Sequence, residues 1–575
     1  MFRKLPSRTL PLRHWIAPAI AFGLAIAAPA AQTATERIDT AMNARIRKEG
    51  MDNSQIMRTM HQLTDVYGPR VTGSPNHEKA AQWVVDEMTR WGFKNGHLEP
   101  FEFKTATVTP SGGWLNEKAA GHIISPVKDN LVFEVLAWTP STKGTISASA
   151  VQLITPQGPE TGAPAQAHEN CPEVRPRFGP TAAQLQDYLA SMAARVKGKI
   201  VFVGPQTCVA FQEVAPAKRL TEEQWRGRLT GVGGGRGNPP AGGANATPPE
   251  GTMTGAQVAS AVNDFLVANA VSVRVNDAGR EMGQIRAFNF AGYDPSKTVP
   301  TVVLRNEDYG RVTRLLADRL DVVLEFTILN HDYPLGKTTY NAVAEIPGSD
   351  TADEVVMLGG HLDSWHSATG ATDNAIGVAT MMEAARILQA LGVKPRRTIR
   401  VAAWAGEEEG LLGSKAYVAQ HFGTAEAPKP EFAKFDGYFN IDGGTGQFHL
   451  ASIFGPSDAS NVLAQVFKPF EDIGIYGTTT TTSRAAGGTD STSFNAAGLP
   501  GIGLNQDGME YNSHTWHTNL DTFERIVEGD VKRSAVAIAS AVYHIAMRDQ
   551  MLPRFTAATM PPVPGTGRAG GPGQR

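Results

Sequence analysis

The 575-residue chain is 41% hydrophobic and 19% charged, an ordinary globular composition whose length suits two or three domains. Its formal net charge of -3 leaves no basic footprint of the kind that nucleic-acid binding displays, so no nucleic-acid partner is expected. The 59 glycines and 37 prolines gather in particular stretches, which marks loops rather than a fibrous or low-complexity chain.

The first residues read as a secretory signal. Arg3, Lys4, Arg8 and Arg13 form a basic start, the apolar run 15–27 is too short to span a bilayer comfortably, and Ala28, Pro29 and Ala30 form a small-x-small cleavage pattern. Residues 1–31 are therefore expected to be a signal peptide, and the mature protein to be periplasmic or secreted with no stable membrane anchor. An uncleaved anchor is the alternative. Two cysteines are present, Cys171 and Cys208; an oxidising compartment favours a bridge between them.

Helical periodicity then runs over 54–92, broken by a loop at 68–75. Between 125 and 328 short β-type runs alternate with turn residues, at 131–138, 150–154, 198–203, 271–276, 299–304 and 322–328, which predicts a separate β-rich domain. The Gly/Pro/Ala-rich stretch 231–249 is expected to be a mobile loop, and 557–575 a disordered tail. From 341 strands and helices alternate: strands at 354–359, 398–405, 435–441 and 501–505, helices at 375–391, 411–420, 461–470 and 527–546. This predicts an α/β fold, a three-layer sandwich with helices on both faces of a mixed, mostly parallel central sheet. The domain plan is thus 32–124 and 329–556 around an insert at 125–328.

Metal-type residues fall where that sheet ends. His361 follows one strand, Glu407 and Glu408 follow the next, Asp442 ends a third, Asp373 precedes a helix, and His517 lies in a polar loop. Open α/β sheets bind ligands beyond the carboxyl ends of their strands. Imidazole with carboxylate and no thiolate is the donor set of catalytic zinc. Two zinc ions about 3.5–4 Å apart need a bridging group. Asp373 can bridge, His361 with Asp442 and His517 with Glu408 complete the two sites, and Glu407 is left as a free carboxylate suited to proton transfer. Asp363, two residues from His361, is placed to accept the other imidazole N–H. His366, His449 and His514 read as supporting or surface residues, Asp490 as either a pocket or a turn residue, and Arg484 as a loop charge.

The motifs GGHLDSW (359–365), TGATDNAIG (369–377), GEEEGLLGS (406–414), NID (440–442) and HTNLDT (517–522) resemble the zinc exopeptidase superfamily, which includes bacterial leucyl aminopeptidases, carboxypeptidase Q and glutamate carboxypeptidases. GGHLDSW with LGVKPRRTIRV (391–401) looks most like carboxypeptidase Q, and RVTGSP (70–75) is similar to the family's N-terminal segment. The resemblance implies two zinc ions, one held by His361, Asp373 and Asp442 and the other by Asp373, Glu408 and His517. It implies Glu407 as general acid/base and peptides as substrates. VKGKIVFVG (196–204) and VPTVVL (299–304) look like a protease-associated domain inserted into the peptidase. His366 stands where carboxypeptidase Q tends to carry an acid, and the HTNLDT motif looks more like the aminopeptidases. Aminopeptidase and carboxypeptidase or dipeptidase activity therefore both stay open, as does the oligomeric state. The same fold also hosts single-zinc glutaminyl cyclases and receptor-like members without catalysis.

Overall fold

The computed structural model describes residues 35–563, apart from 106–109, 161–167, 173–174, 214, 217, 231–248 and 290–292. The expected signal peptide, nearly all of the Gly/Pro stretch and the tail beyond 563 lie outside the described residues.

Two eight-stranded sheets organise the chain from Glu36 onward. The first runs, in spatial order, Lys94–Glu102, Thr338–Ile346, Arg397–Trp404, Thr351–His361, Phe435–Asn440, Gly501–Gln506, Phe448–Phe454 and Gly477–Thr481. Its four central strands, from Arg397–Trp404 to Gly501–Gln506, are mutually parallel and almost wholly buried, as a sheet covered on both faces requires. One face packs against the helices Pro75–Arg90, Ile376–Ala390 and Glu528–Met547, in a core that includes Ile387, Ile399 and Val542. The other carries Leu412–His421 and Ser491–Ala497 over a cluster of Trp404, Tyr417, Tyr438 and Phe494. The α/β sandwich with a mixed, mostly parallel sheet is thus the observed architecture.

The register aims functional residues at one rim. His361 pairs with Trp404 and Gly359 with both Ala402 and Asn440, so the strands carrying His361, Glu407 and Asp442 end side by side. Gly359 is needed for this approach, because a Cβ there would lie 2.1 Å from the Ala402 carbonyl oxygen. Gly406, at φ +69°, turns the chain out of its strand into Glu407. Asn341 fixes that turn from the neighbouring strand: its Oδ1 accepts the Ala405 N–H at 3.1 Å and its Nδ2 donates to the Gly413 carbonyl at 3.1 Å.

The second sheet lies between the first two strands of the first in chain order. Its spatial order is Asp129–Asn130, Gly113–Ser125, Val323–Tyr333, Thr145–Leu153, Ile200–Val203, Val273–Asp277, Thr301–Leu304 and Phe133–Val135. It begins before the expected boundary at 125 and ends after 328, because Gly113–Ser125 and Val323–Tyr333 form one long antiparallel pair. It is also less purely β than expected. Helices Ala182–Val196 and Gly255–Ala268 cover one side of its parallel half, and Asn306–Ala317 also packs on this sheet. The Cys171–Cys208 disulfide forms. Closing that loop stabilises by about 3–4 kcal/mol in the chain-entropy model.

Candidate metal centre

The five expected ligands converge. His361 Nε2 lies 3.3 Å from Asp373 Oδ1 and 3.5 Å from Asp442 Oδ1. On the other side His517 Nε2 lies 3.1 Å from Asp373 Oδ2 and 2.8 Å from Glu408 Oε2. Asp373 therefore turns one carboxylate oxygen to each imidazole, the placement of a bridging ligand. Donor atoms of His361, Asp373 and Glu408 all fall within 4.8 Å of one another, as do those of His361, Glu407 and Asp442. Among the described residues, His361 Nε2, Asp373 Oδ2 and Glu408 Oε1 are buried without a hydrogen bond. Clustered imidazole and carboxylate donors with buried, unsatisfied atoms fit divalent cations such as zinc.

Electrostatics supports that fit. Burial pushes the Glu408 carboxyl up to about 7 and the Glu407 and Glu409 carboxyls well above their usual range. Burial opposes charge on His517, yet Glu408 and Asp373 outweigh it and lift the imidazole to about 10. His361 is likewise raised despite burial, by Glu407 and Asp442. Asp373 is held low in spite of burial by its two imidazole neighbours. So many buried carboxyls in one place call for cationic compensation that two imidazoles supply only in part.

Surrounding groups hold the ligands still. Asp521 accepts the backbone N–H of Thr372 at 2.6 Å and of Asp373 at 3.1 Å, which orients the bridging residue. Trp365 Nε1 donates to Glu408 Oε2 at 2.8 Å, and Tyr511 Oη donates to Asp442 Oδ1 at 3.4 Å. Arg70, fully buried in the RVTGSP segment, donates to the carbonyls of Leu362, Thr369 and Gly370 at 2.7–2.9 Å and so ties down the loop after His361. Asp363 takes a different post from the one its spacing suggests. His361 Nδ1 meets the Asp363 backbone carbonyl at 3.0 Å, with the nearer carboxylate oxygen at 3.7 Å. The carboxylate instead accepts the backbone N–H groups of Glu407 and Glu408 at 3.3 and 3.1 Å, pinning the turn that presents both glutamates.

His366, His449, His514 and Arg484 find their partners away from the ligands. His366 Nε2 donates to the Val135 carbonyl of the second sheet at 2.6 Å, with its ring edge-on to Trp114 at 4.9 Å. His449 pairs with Asp507 at 3.0 Å, His514 with its neighbour Ser513 at 2.8 Å, and Arg484 is buried in an ion pair with Glu426. Asp490 is fully buried at the start of the helix Ser491–Ala497, and burial lifts its carboxyl to about 7. Sequence reasoning gave no role to Tyr293, which reaches from the second sheet's chain into a cleft of about 1230 Å³ shared with Asp373, Glu407, Asp442, Tyr511 and His517. It gave none to Asp521 either, although Asp521 lies within the HTNLDT motif.

Comparison with known proteins finds similarity around this centre. Residues 341–542 match the model of peptidase family M28. Carboxypeptidase Q of Rattus norvegicus is 30% identical over 256 residues, 44% of this chain and 52% of that protein. Leupeptin-inactivating enzyme 1 of Streptomyces exfoliatus is 30% identical over 244 residues, 39% of this chain and 52% of that protein. The chain thus spans about half the length of the curated relatives it matches. Among solved structures, the peptidase M28 precursor of Shewanella amazonensis SB2B shares the fold at a TM-score of 0.58 and 24% identity, over 89% of this chain and 97% of that one. A zinc aminopeptidase of Bacillus subtilis shares it at a TM-score of 0.50 and 17% identity, over 88% and 97%. Residues 341–542, which match the model of peptidase family M28, hold all five candidate ligands together with Asp363 and Glu407.

Proposed function

We propose that this chain is an exported two-zinc exopeptidase that removes residues from a peptide terminus. The observation that carries this reading is the Asp373 carboxylate, one oxygen toward His361 and the other toward His517. His361, Asp373 and Asp442 would hold one ion, and Asp373, Glu408 and His517 the other. Bound there, the pair would polarise the scissile carbonyl and acidify the attacking water. Glu407 lines the cleft beside both sites, and its raised carboxyl suits it to take a proton from that water and return it to the departing amine. Asp363 keeps Glu407 in that position through its backbone. Tyr293, from the second sheet's chain, lines the cleft, which supports reading that sheet as an inserted protease-associated domain that limits substrates to chain ends. Similarity to carboxypeptidase Q and to a zinc aminopeptidase supports an exopeptidase of either polarity. Export is proposed from the basic, apolar and small-x-small pattern of residues 1–31; no helix of the described residues is long and apolar enough to cross a membrane.

The test is hydrolysis of short peptides by zinc-loaded protein, each peptide offered free, N-acetylated and C-amidated, with products identified by mass. Chelator-sensitive cleavage abolished by N-acetylation assigns an aminopeptidase, and cleavage abolished by C-amidation a carboxypeptidase. A need for both free ends assigns a dipeptidase. Zinc-loaded protein that cleaves none of these peptides, or that only cyclises N-terminal glutamine, would overturn the proposal.

A further inference from the structure

His517 stands apart from His361 in how its ring is held. A metal-bound histidine is ordinarily oriented by a hydrogen bond at its second nitrogen. His361 has one, from Nδ1 to the Asp363 carbonyl. His517 Nδ1 is buried and, among the described residues, makes none. Its backbone sits at φ +58°, in a loop rather than on a strand end. Something else must fix the imidazole.

The second sheet's chain supplies it. The Phe288 ring meets the His517 ring edge-on at 4.9 Å, and Trp516 stacks on the same imidazole at 4.1 Å. Arg286 Nε donates to the Trp516 carbonyl at 3.1 Å, and its guanidinium lies 4.5 Å over the Trp516 ring. Ile285 and Asn519 exchange two hydrogen bonds: the Ile285 N–H donates to Asn519 Oδ1 at 2.9 Å, and the Asn519 N–H donates to the Ile285 carbonyl at 3.1 Å. The same loop is gripped at its start by residues 218–225. The Met509 N–H donates to the Lys218 carbonyl at 2.9 Å, and Trp225 Nε1 and the Leu220 N–H both donate to Asp507 Oδ1, at 3.1 and 3.0 Å. Both ends of the segment that carries His517 are therefore tied to chain belonging to the other sheet.

We infer that Phe288, backed by Arg286, is a positioning residue for one metal site: ring packing from the second sheet holds the His517 imidazole where a hydrogen bond would otherwise do so. The site of His517, Glu408 and Asp373 then takes its shape from both sheets, whereas His361 and Asp442 themselves stand at strand ends of the first sheet. This rests on the two-zinc reading.

The experiment is stepwise zinc titration of the metal-free full chain against a competing chelating dye, with circular dichroism as the check on folding. Wild type is expected to bind two ions. Phe288→Ala should weaken one of the two steps roughly 10- to 100-fold, the range for lost ligand-orienting partners, and leave the other unmoved. Phe288→Tyr should restore it. In a His517→Ala background, Phe288→Ala should change nothing further. Arg286→Ala, which leaves the ring contact in place, should weaken the same step more mildly and carries the test if Phe288→Ala does not fold. Two wild-type steps with both variants unmoved, or both steps weakened alike, would overturn this inference alone. A single wild-type step would overturn the two-zinc reading and the inference together.

Discussion

Glu407 faces the cleft outside the two proposed ligand sets, and its neighbours Glu408 and Asp373 turn toward His517. Glu407→Gln keeps the shape and removes the base. Turnover is expected to fall roughly 100- to 10,000-fold, the usual scale for a lost proton-transfer group, while zinc stoichiometry stays at the wild-type value. A kcat assay paired with metal analysis checks both halves; a variant that loses zinc would make Glu407 a ligand, and one that keeps its turnover would remove it from the mechanism. Four of the candidate ligands were legible because they follow a strand or open a helix, whereas His517 stands in a loop and was legible from its polar motif. Asp363 was legible as a neighbour but not in its task, since spacing cannot show whether a side chain or its own carbonyl reaches the ring. Tyr293, Trp365 and Phe288 were not legible at all. Their roles depend on how the two sheets meet, which no local pattern encodes.

At the scale of elements, the strands rich in alternating or continuous apolar residues could be read directly, and the helices around the second sheet could not. Yet two of those helices, and the helix Glu222–Leu229 beside the first sheet's edge strand, announce themselves by the same device. Thr181 with Gln184, Thr221 with Gln224 and Thr254 with Gln257 each form a reciprocal capping box, a Thr-x-x-Gln signal visible in the sequence. Strand Gly477–Thr481 escaped because GTTTT has no apolar face; it is an edge strand, half-exposed beside Phe448–Phe454. The helix Pro75–Arg90 carries a further consequence. His77 is buried on it, and among the described residues neither ring nitrogen has a hydrogen-bond partner. Burial, helped by Arg70, depresses its pKa to about 3 from 6.5. The folded state thus keeps His77 neutral while the unfolded chain protonates near 6.5, so its contribution is intact above pH 6.5 and is lost as pH falls toward 3. His77→Leu should flatten that loss, gaining about 2–3 kcal/mol over wild type between pH 6.5 and 4.5. Urea unfolding midpoints across that range measure it; parallel pH curves for the two proteins would mean that His77 titrates normally in the fold.

Across the whole molecule, the candidate metal centre sits where five separate stretches of chain meet. Residues 70, 361–373, 406–409, 440–442 and 511–521 all contribute, and the second sheet's chain reaches the cleft through Tyr293. Without cations, these stretches are held together against the cost of crowding buried carboxyls, several of them pushed up to about 7. A ligand that binds only the folded state stabilises it by RT ln(1 + [L]/Kd), about 4 kcal/mol when free zinc stands at a thousand times Kd for one site. The metal-free protein should therefore unfold at a lower temperature, and its midpoint should climb with the logarithm of free zinc. The two sites should not contribute equally to that climb. Asp373 belongs to both, so filling either neutralises its charge for the other, and Asp373→Asn should remove most of the zinc dependence. Glu408→Gln strips only the His517 side, and the part of the rise that depends on His361 and Asp442 should survive it. Calorimetric scans of the three proteins over a zinc series separate these outcomes. If Asp373→Asn retained the full wild-type rise, Asp373 would not be the bridge that its two oxygens describe.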